Sequence, residues 1–296
     1  MDRVLGDPRA IAILVAPPLV LFVLFMVVPI FASGFYSLVT WDGLSSMMFS
    51  GVRNYIALLT TDRAEFFLSV RNSVIIAALS VCVQLPLALL LALALTSGLR
   101  GEGIFRTIYF IPVVVSSTMI GVLFLVIYNP DMGLLNGVLR GLGLIRENRA
   151  WLGDLKFALY YASVPVIWQF VGYHMLLMYA GIRSIPQEII EAARIDGASA
   201  FQTAVRIKIP LIVSVIEVCI ILAVTGALRI FDLMYVLTGN GAPLGTTIVQ
   251  TGLMYRVIFN RNQYGTGSAI ALLILVECLL FTIVTQRGFA RRHYSY

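Results

Sequence analysis

The sequence predicts an all-α, polytopic membrane protein with six transmembrane helices. Three observations carry that reading. Of its 296 residues, 59% are hydrophobic and only 12% charged, about half the charge of an ordinary soluble domain. Mean hydropathy is +0.93. Several apolar runs exceed the roughly 18 residues at which a spanning helix becomes the default reading, and a soluble core does not need uninterrupted runs of that length.

Six segments qualify: about 11–38, 72–96, 107–128, 157–181, 209–228 and 266–286. The first, "AIAILVAPPLVLFVLFMVVPIF", is too long for the apolar region of a signal peptide. No convincing small-x-small cleavage site follows it at the right distance, so it reads as a retained span. Each of the others crosses a hydrocarbon layer of ~30 Å at about 1.5 Å per residue, the longer ones with tilt. Pro17, Pro18, Pro29, Pro86, Pro112 and Pro165 fall within or near these runs. Prolines are tolerated there and are expected to mark kinks.

An even number of spans places both termini on one side. The arginine-dense tails "MDRVLGDPR" and "RGFARRHYSY", and the short loops on their side, put that side in the cytoplasm by the positive-inside rule. The longer loops on the other side, about 39–71 and 129–156, contain Trp41, Tyr55 and Trp151, which suit a membrane interface. No soluble domain boundary or tandem repeat is visible, so residues 1–296 read as one domain.

Several chemistries are excluded. The net charge of +6 sits at the ends of apolar segments, not in a patch for nucleic acid. Cys82, Cys219 and Cys278 lie inside apolar runs without a CxxC pairing. His174 and His293 are too few for a metal site. Lys156 and Lys208 are the only lysines and neither follows a glycine, so there is no phosphate-binding loop. Neither HExxH nor GxSxG occurs, and no catalytic residue is assigned.

One stretch stands apart. "EIIEAARIDGASAFQTAVRIKIP", residues 188–210, holds three acids and three bases among small residues, between the fourth and fifth spans. Ser184 and Gln187 have capping-box spacing around Pro186, which predicts a helix start. Asp196-Gly197 predicts its end. Ser199 and Gln202 repeat the capping spacing, and Pro210 opens the fifth span. The result is a cytoplasmic helix–turn–helix hairpin over 184–208. Ile189, Ile190 and Ala193 turn toward the membrane domain. Ala192 and Ala193 permit close approach by another surface, and Glu191 offers a fixed charge. The residues alone fit two readings equally: a knob for a partner's socket, or an amphipathic hairpin resting on the membrane.

Glu191-Ala192-Ala193, then Asp196-Gly197-Ala198, then Ile207 and Pro210, resemble the EAA loop of the membrane subunits of binding-protein-dependent ABC importers. Ala204 departs from that pattern, where the family usually has a bulky aromatic, and Ile209 replaces a common Leu. Phe201 is the side chain expected to compensate. "GVRNY" (51–55), Asn72, "FRTIYFIPVVVSS" (105–117), "GLLN" (133–136), "WQFVGYHMLLMYAGIRSIP" (168–186) and "FDLMYVLTGNGAP" (231–243) are similar to the carbohydrate-uptake branch. Within it they are closer to the maltose-type F-like subunit than to its G-like partner. Asn240 and Ala242 stand where glycines are usual.

The resemblance implies a MetI-like permease fold in the cytoplasmic membrane of a prokaryote. It implies a second permease subunit, expected to be a different chain, a dimeric ABC ATPase that holds ATP and Mg, and an extracytoplasmic solute-binding protein. No cofactor is implied in this chain, and the solute is a sugar or oligosaccharide. Glu191, Ala192, Ala193, Asp196, Gly197 and Ala198 would couple to the ATPase.

Candidate pathway residues are Gln169, Tyr173, His174, Glu217, Arg229 and Asp232. Glu217 and Glu277 lie near the middle of spans, where an ionised group costs about 2.5–3.5 kcal/mol and faces a cavity or a partner. Each reads either as a sugar ligand or as a helix–helix contact. Arg229 and Asp232, three residues apart, have the spacing of a pair on one helical face. The competing readings are an ion-coupled secondary transporter, disfavoured by the lack of inverted-repeat symmetry, and a membrane-embedded enzyme, which lacks a nucleophile or metal motif.

Overall fold

A computed structural model describes residues 8–98 and 100–289. The outermost tails that carry much of the orientation reading, and His293, lie outside the described residues. The described chain is mostly helical, with loops between the helices and a two-residue strand pair, Val39–Thr40 with Met48–Phe49. It divides into two compact units. One comprises the described residues of Met1–Arg63 with Met254–Leu275. The other comprises Ala64–Leu253 with the described residues of Val276–Tyr296.

Among the described residues, three helices are long and apolar enough to cross a membrane: Ala12–Ser37, Arg63–Leu95 and Tyr264–Phe289. Two predicted spans are instead bent pairs. Glu102–Val114 and Ser117–Ile127 meet at 97°, and Ala200–Leu211 and Val213–Leu228 at 71°. The first break has a local cause. Val115 and Ser116 are extended (ψ 139° and 138°), and the Ser116 hydroxyl accepts the Met119 N–H at 3.3 Å to restart the helix. Ala158–Arg183 is a 26-residue helix, long enough to span, though Gln169, His174 and its tyrosines make it less apolar.

The prolines act through a repeated device. Val23–Val27, Ser80–Gln84 and Ala204–Lys208 are π-helical turns, each ending two residues before Pro29, Pro86 or Pro210. A proline has no N–H to donate, and its ring collides with the carbonyl four residues back. Widening the preceding turn moves that carbonyl away and shifts the bonding to i→i−5, as in Val28 N–H to Val23 O and Leu85 N–H to Ser80 O. At Pro29 and Pro86 the helices continue where kinks were expected, whereas the 97° bend follows three residues after Pro112 and the 71° bend two residues after Pro210.

In the first unit, buried Asn54 organises the strand pair. Its amide donates to Ser37 O (2.8 Å) and Val39 O (2.9 Å), and its carbonyl accepts from the Thr266 hydroxyl. Trp41, expected at an interface, stacks on Tyr36 and packs against Tyr264. Asp42 accepts from Leu44 N–H, Ser45 N–H and the Ser45 hydroxyl. These bonds, the Ser45 backbone first, pull its carboxyl down to about 2.

The second unit contains two apolar clusters. In one, Leu85, Ala88, Ala92 and Leu95 pack against Met175, Met178, Tyr179 and Ile182, with Ile212, Cys219 and Ala223. In the other, Ile76 and Ile120 pack with Leu159, Val166, Val224, Leu233 and Met234. Gly172 lies so close to helix Glu102–Val114 that a Cβ there would fall 1.8 Å from Tyr109 O.

Candidate functional site

Two features of the second unit are candidates: the charged hairpin, and a cavity bordered by the fourth span and the two bent pairs.

The hairpin begins at Gln187–Ile195. Ser184 does not cap it. Its hydroxyl bonds back to Gly181 O at 2.8 Å and closes the preceding helix, while Pro186 occupies the N-cap position without a side-chain bond. The exit is as predicted. Gly197 takes φ +79°, its N–H bonds Arg194 O, and Ala198 N–H bonds Ala193 O. This is the double closure of a Schellman end. The second capping box is complete: Gln202 N–H to Ser199 Oγ at 3.2 Å and Ser199 N–H to Gln202 Oε1 at 2.8 Å.

Ile190 and Ala193 are buried against the chain, and Ile189 is partly so. Glu191, Ala192, Arg194 and Asp196 are exposed. Ile195 is 86% exposed and Phe201 77%. Phe201 therefore makes no packing in this chain that compensates for Ala204, which is itself half-buried. The outer face of the hairpin carries the acids Glu188, Glu191 and Asp196, the base Arg194, the methyl-sized Ala192 and two projecting apolar side chains, Ile195 and Phe201.

The cavity encloses about 430 Å³. Its polar lining includes Ser80, Gln84, Ser117, Tyr173, His174, Arg229 and Asp232, set in an apolar wall that includes Phe170 and Phe231. Four predicted pathway residues are thus brought together. His174 is 3% exposed. Its Nδ1 lies 2.9 Å from Gln84 Nε2 and 3.0 Å from Phe170 O, and its Nε2 has no hydrogen-bond partner. If Nδ1 donates to Phe170, Nε2 is a free acceptor. If Nδ1 accepts from Gln84, Nε2 is a free donor. The Tyr173 ring meets the His174 ring edge-on, with centroids 5.3 Å apart.

Arg229 and Asp232 do not share a helical face. The helix ends at Leu228 and a new one starts at Asp232, so the i, i+3 geometry is lost. Arg229 turns back to donate to Thr225 O at 3.1 Å.

Gln169 has another task. It is 2% exposed and donates to Val115 O at 3.2 Å and to the Ser117 hydroxyl at 3.1 Å, supplying a donor to the carbonyl that the 97° bend strips of its helical partner. Glu217 is buried at 7% exposure and does not line the cavity. Glu277 accepts from Gln250 Nε2 at 2.9 Å with both oxygens. This pairing is the helix contact that one of the two readings expects.

Gln84 was not among the predicted residues. Its signal was present, as the one amide in the apolar run "VIIAALSVCVQLPLALLLALAL".

Two further features lie away from the hairpin. Buried Asn72 holds the 237–247 loop by donating to Thr246 O (2.7 Å) and Ile248 O (2.8 Å). In that loop Asn240 has φ 65°, so it adopts the left-handed conformation that glycine takes without steric cost. Ala242 is not in that region and needs no glycine. Thr246 also lines a groove of about 390 Å³ with Arg71, Lys156 and Tyr160. The groove lies at the start of helix Ala158–Arg183, the end remote from the hairpin.

The family described as binding-protein-dependent transport system inner membrane component matches residues 84–292. The chain is 36% identical over 275 residues to the probable ABC transporter permease protein YurN of Bacillus subtilis (strain 168), covering 92% of this chain and 93% of that one. It is 36% identical over 275 residues to the trehalose/maltose transport system permease protein MalF of Thermococcus litoralis, covering 92% and 90%. It is 33% identical to the diacetylchitobiose uptake system permease protein NgcF of Streptomyces coelicolor, over 89% of this chain and 77% of that one. A chain in the crystal structure of a bacterial ABC transporter that imports the acidic polysaccharide alginate matches with a TM-score of 0.83 at 21% identity, covering 99% of each chain. At that identity the likeness establishes the shared fold.

Proposed function

Because the chain belongs to the family of binding-protein-dependent transport system inner membrane components, and is a permease subunit of an ABC importer rather than its ATPase, we propose that the 188–210 hairpin is its coupling element and the Tyr173–His174 cavity part of its solute path. The observation that carries the reading is the build of the hairpin. It is closed by a Schellman end and a complete capping box, rooted through Ile190 and Ala193, and exposed along Glu191 and Ala192. Such a body moves as a unit when its socket moves.

The socket belongs to a separate dimeric ATPase, where ATP and Mg reside. Closure of that dimer displaces the hairpin and turns the pore outward. A second permease, expected to be a different chain, completes the pore. Both termini and the hairpin lie on the cytoplasmic side. The groove with Arg71, Lys156 and Thr246, and the 237–247 loop, then face outward and receive the solute-binding protein.

The solute is a sugar or oligosaccharide. The cavity is within the roughly 300–1,000 Å³ range of small-ligand sites. Tyr173 and Phe170 supply ring faces, and His174 Nε2 and Asp232 supply polar groups for hydroxyls. Ion-coupled transport, the competing reading from sequence, has no support in the family or in the structure.

In proteoliposomes holding both permeases, uptake requires ATP, the ATPase and the binding protein, and an ion gradient alone drives none. Glu191→Lys inserts normally but loses the ATPase on co-purification and loses uptake. If the variant retains both, the hairpin is not the coupling element.

A further inference from the structure

The helix that carries the hairpin is tied to a second helix at its foot, through one tyrosine. Tyr179 lies four residues before Arg183, the last residue of helix Ala158–Arg183, and the hairpin helix starts at Gln187. The Tyr179 ring is buried, at 7% exposure, in the cluster with Met175, Met178 and Ile182. Its hydroxyl donates to the Glu102 carboxylate and accepts from Arg183 Nε at 3.0 Å. Arg183 also reaches Glu102 directly, at 3.4 Å. The guanidinium groups of Arg106 and Arg183 lie 5.6 and 5.7 Å from the tyrosine ring centre, within cation–π range. Glu102 opens helix Glu102–Val114, where the helix dipole favours an acid.

A second point joins the same two helices about two turns further along, where Gly172 sits against the Tyr109 backbone. Helix Glu102–Val114 ends at the 97° bend, and the residues there, Val113 and Ser117, line the cavity. Gln169 bridges the same bend. A continuous set of contacts therefore runs from the root of the hairpin to the cavity wall: Arg183, Tyr179, Glu102, the helix it opens, then Ser117. The Tyr179 hydroxyl and Arg183 are its polar link at the hairpin end, and the rest is apolar packing and backbone.

We propose that Tyr179, with Glu102 and Arg183, is a positioning latch that makes helix Glu102–Val114 follow the hairpin, so that movement at the ATPase reaches the cavity. With the latch intact, displacement of the hairpin root carries both helices and changes the bend. Without it, the root moves while the second helix is held at its hairpin end only by apolar contacts that slide, its remaining polar tie being the Gln169 bonds at the far end. Spatial continuity is only a route. The physical content is that a hydroxyl far from both ATP and solute sets how much solute moves per ATP.

The test is Tyr179→Phe, which keeps the buried ring and removes only the hydroxyl. In proteoliposomes with the ATPase and binding protein, ATP hydrolysis and uptake of labelled solute are measured on the same preparation. Assembly and binding-protein-stimulated hydrolysis persist, while solute moved per ATP falls by about threefold or more, within the range of couplings modulated along such networks. Glu102→Gln, which keeps a neutral acceptor, falls between Tyr179→Phe and the unaltered chain. A merely structural role would lower hydrolysis and uptake together, and that outcome, or an unchanged ratio, overturns the latch. If Tyr179→Phe does not assemble, Glu102→Gln at its half-buried position is decisive by the same ratio. The proposal rests on the hairpin being the coupling element. Glu191→Lys tests that separately: ATPase retention with normal uptake there sinks the coupling reading, whereas an unchanged Tyr179→Phe ratio with ATPase bound sinks only the latch.

Discussion

Replacing Gly172 with Ala measures how closely the fourth span and helix Glu102–Val114 are joined. The added Cβ would lie 1.8 Å from Tyr109 O, 2.6 Å from its carbonyl carbon and 3.2 Å from Phe110 N. Carbon and oxygen rest at about 3.3–3.6 Å even in close Cα–H···O contacts, so the helices must part by roughly 1.5 Å. All three obstacles are backbone, and no side-chain rotation relieves them. Gln169, one turn away, would lose its bonds of 3.2 and 3.1 Å to the bend.

Overpacking of this kind costs about 1–3 kcal/mol, and here the upper end applies. Alanine recovers about 1 kcal/mol of helix propensity, which leaves a net loss of about 2 kcal/mol. The assay is thermal or denaturant unfolding of the purified membrane complex, with Gly137→Ala alongside. Gly137 sits in helix Leu134–Gly141 with nothing within 4 Å of an added Cβ, so that variant gains stability by about 1 kcal/mol. If Gly172→Ala is as stable as Gly137→Ala, the two helices are not in contact at this level.

Three further outcomes follow from the same geometry. Gly197→Ala meets open space, so its cost is the φ of +79° alone, about 1–2 kcal/mol; Gly197→Asn costs less, and ATPase co-purification ranks glycine above asparagine above alanine. Gln169→Leu strips the donor from Val115 O and Ser117 and destabilises the complex by about 1–3 kcal/mol in the unfolding assay. His174→Leu removes a polar side chain from the cavity lining. It weakens solute uptake about tenfold, as for one hydrogen bond of about 1.5 kcal/mol, without releasing the ATPase; normal uptake would take the cavity out of the solute path.

Much of the hairpin was legible because its signals are local. A capping box spans three residues, and a Schellman end needs a glycine one position past the helix, so both could be read without knowing the fold. Ser184 shows the limit of that reading. Its spacing to Gln187 fits a capping box, yet the hydroxyl is taken by Gly181 O because the preceding helix extends to Arg183. The cavity was half legible. Tyr173 and His174 were named from their polarity in an apolar run, but the same polarity in Gln169 and Glu277 serves bend and helix contacts. Arg229 and Asp232 failed as a helical pair because the helix breaks between them, and no propensity signal marks that break.

What the sequence by itself determined is the membrane class, the position of most helices, the hairpin and the family. The first three rest on run length, composition or contacts between near neighbours, and the family on the resemblance carried by Glu191–Ala198, Ile207 and Pro210. What only the tertiary structure decided is which helices meet. Gln84 reaches His174 across 90 positions, and Tyr179 meets Glu102 across 77. In a soluble protein an apolar stripe would have pointed to such faces. Here the lipid-facing side is as apolar as the interior, so helix association is driven by close packing and hydrogen bonds rather than by hydrophobic burial. Close packing at a glycine, and a hydroxyl between a carboxylate and a guanidinium, leave no pattern along the chain.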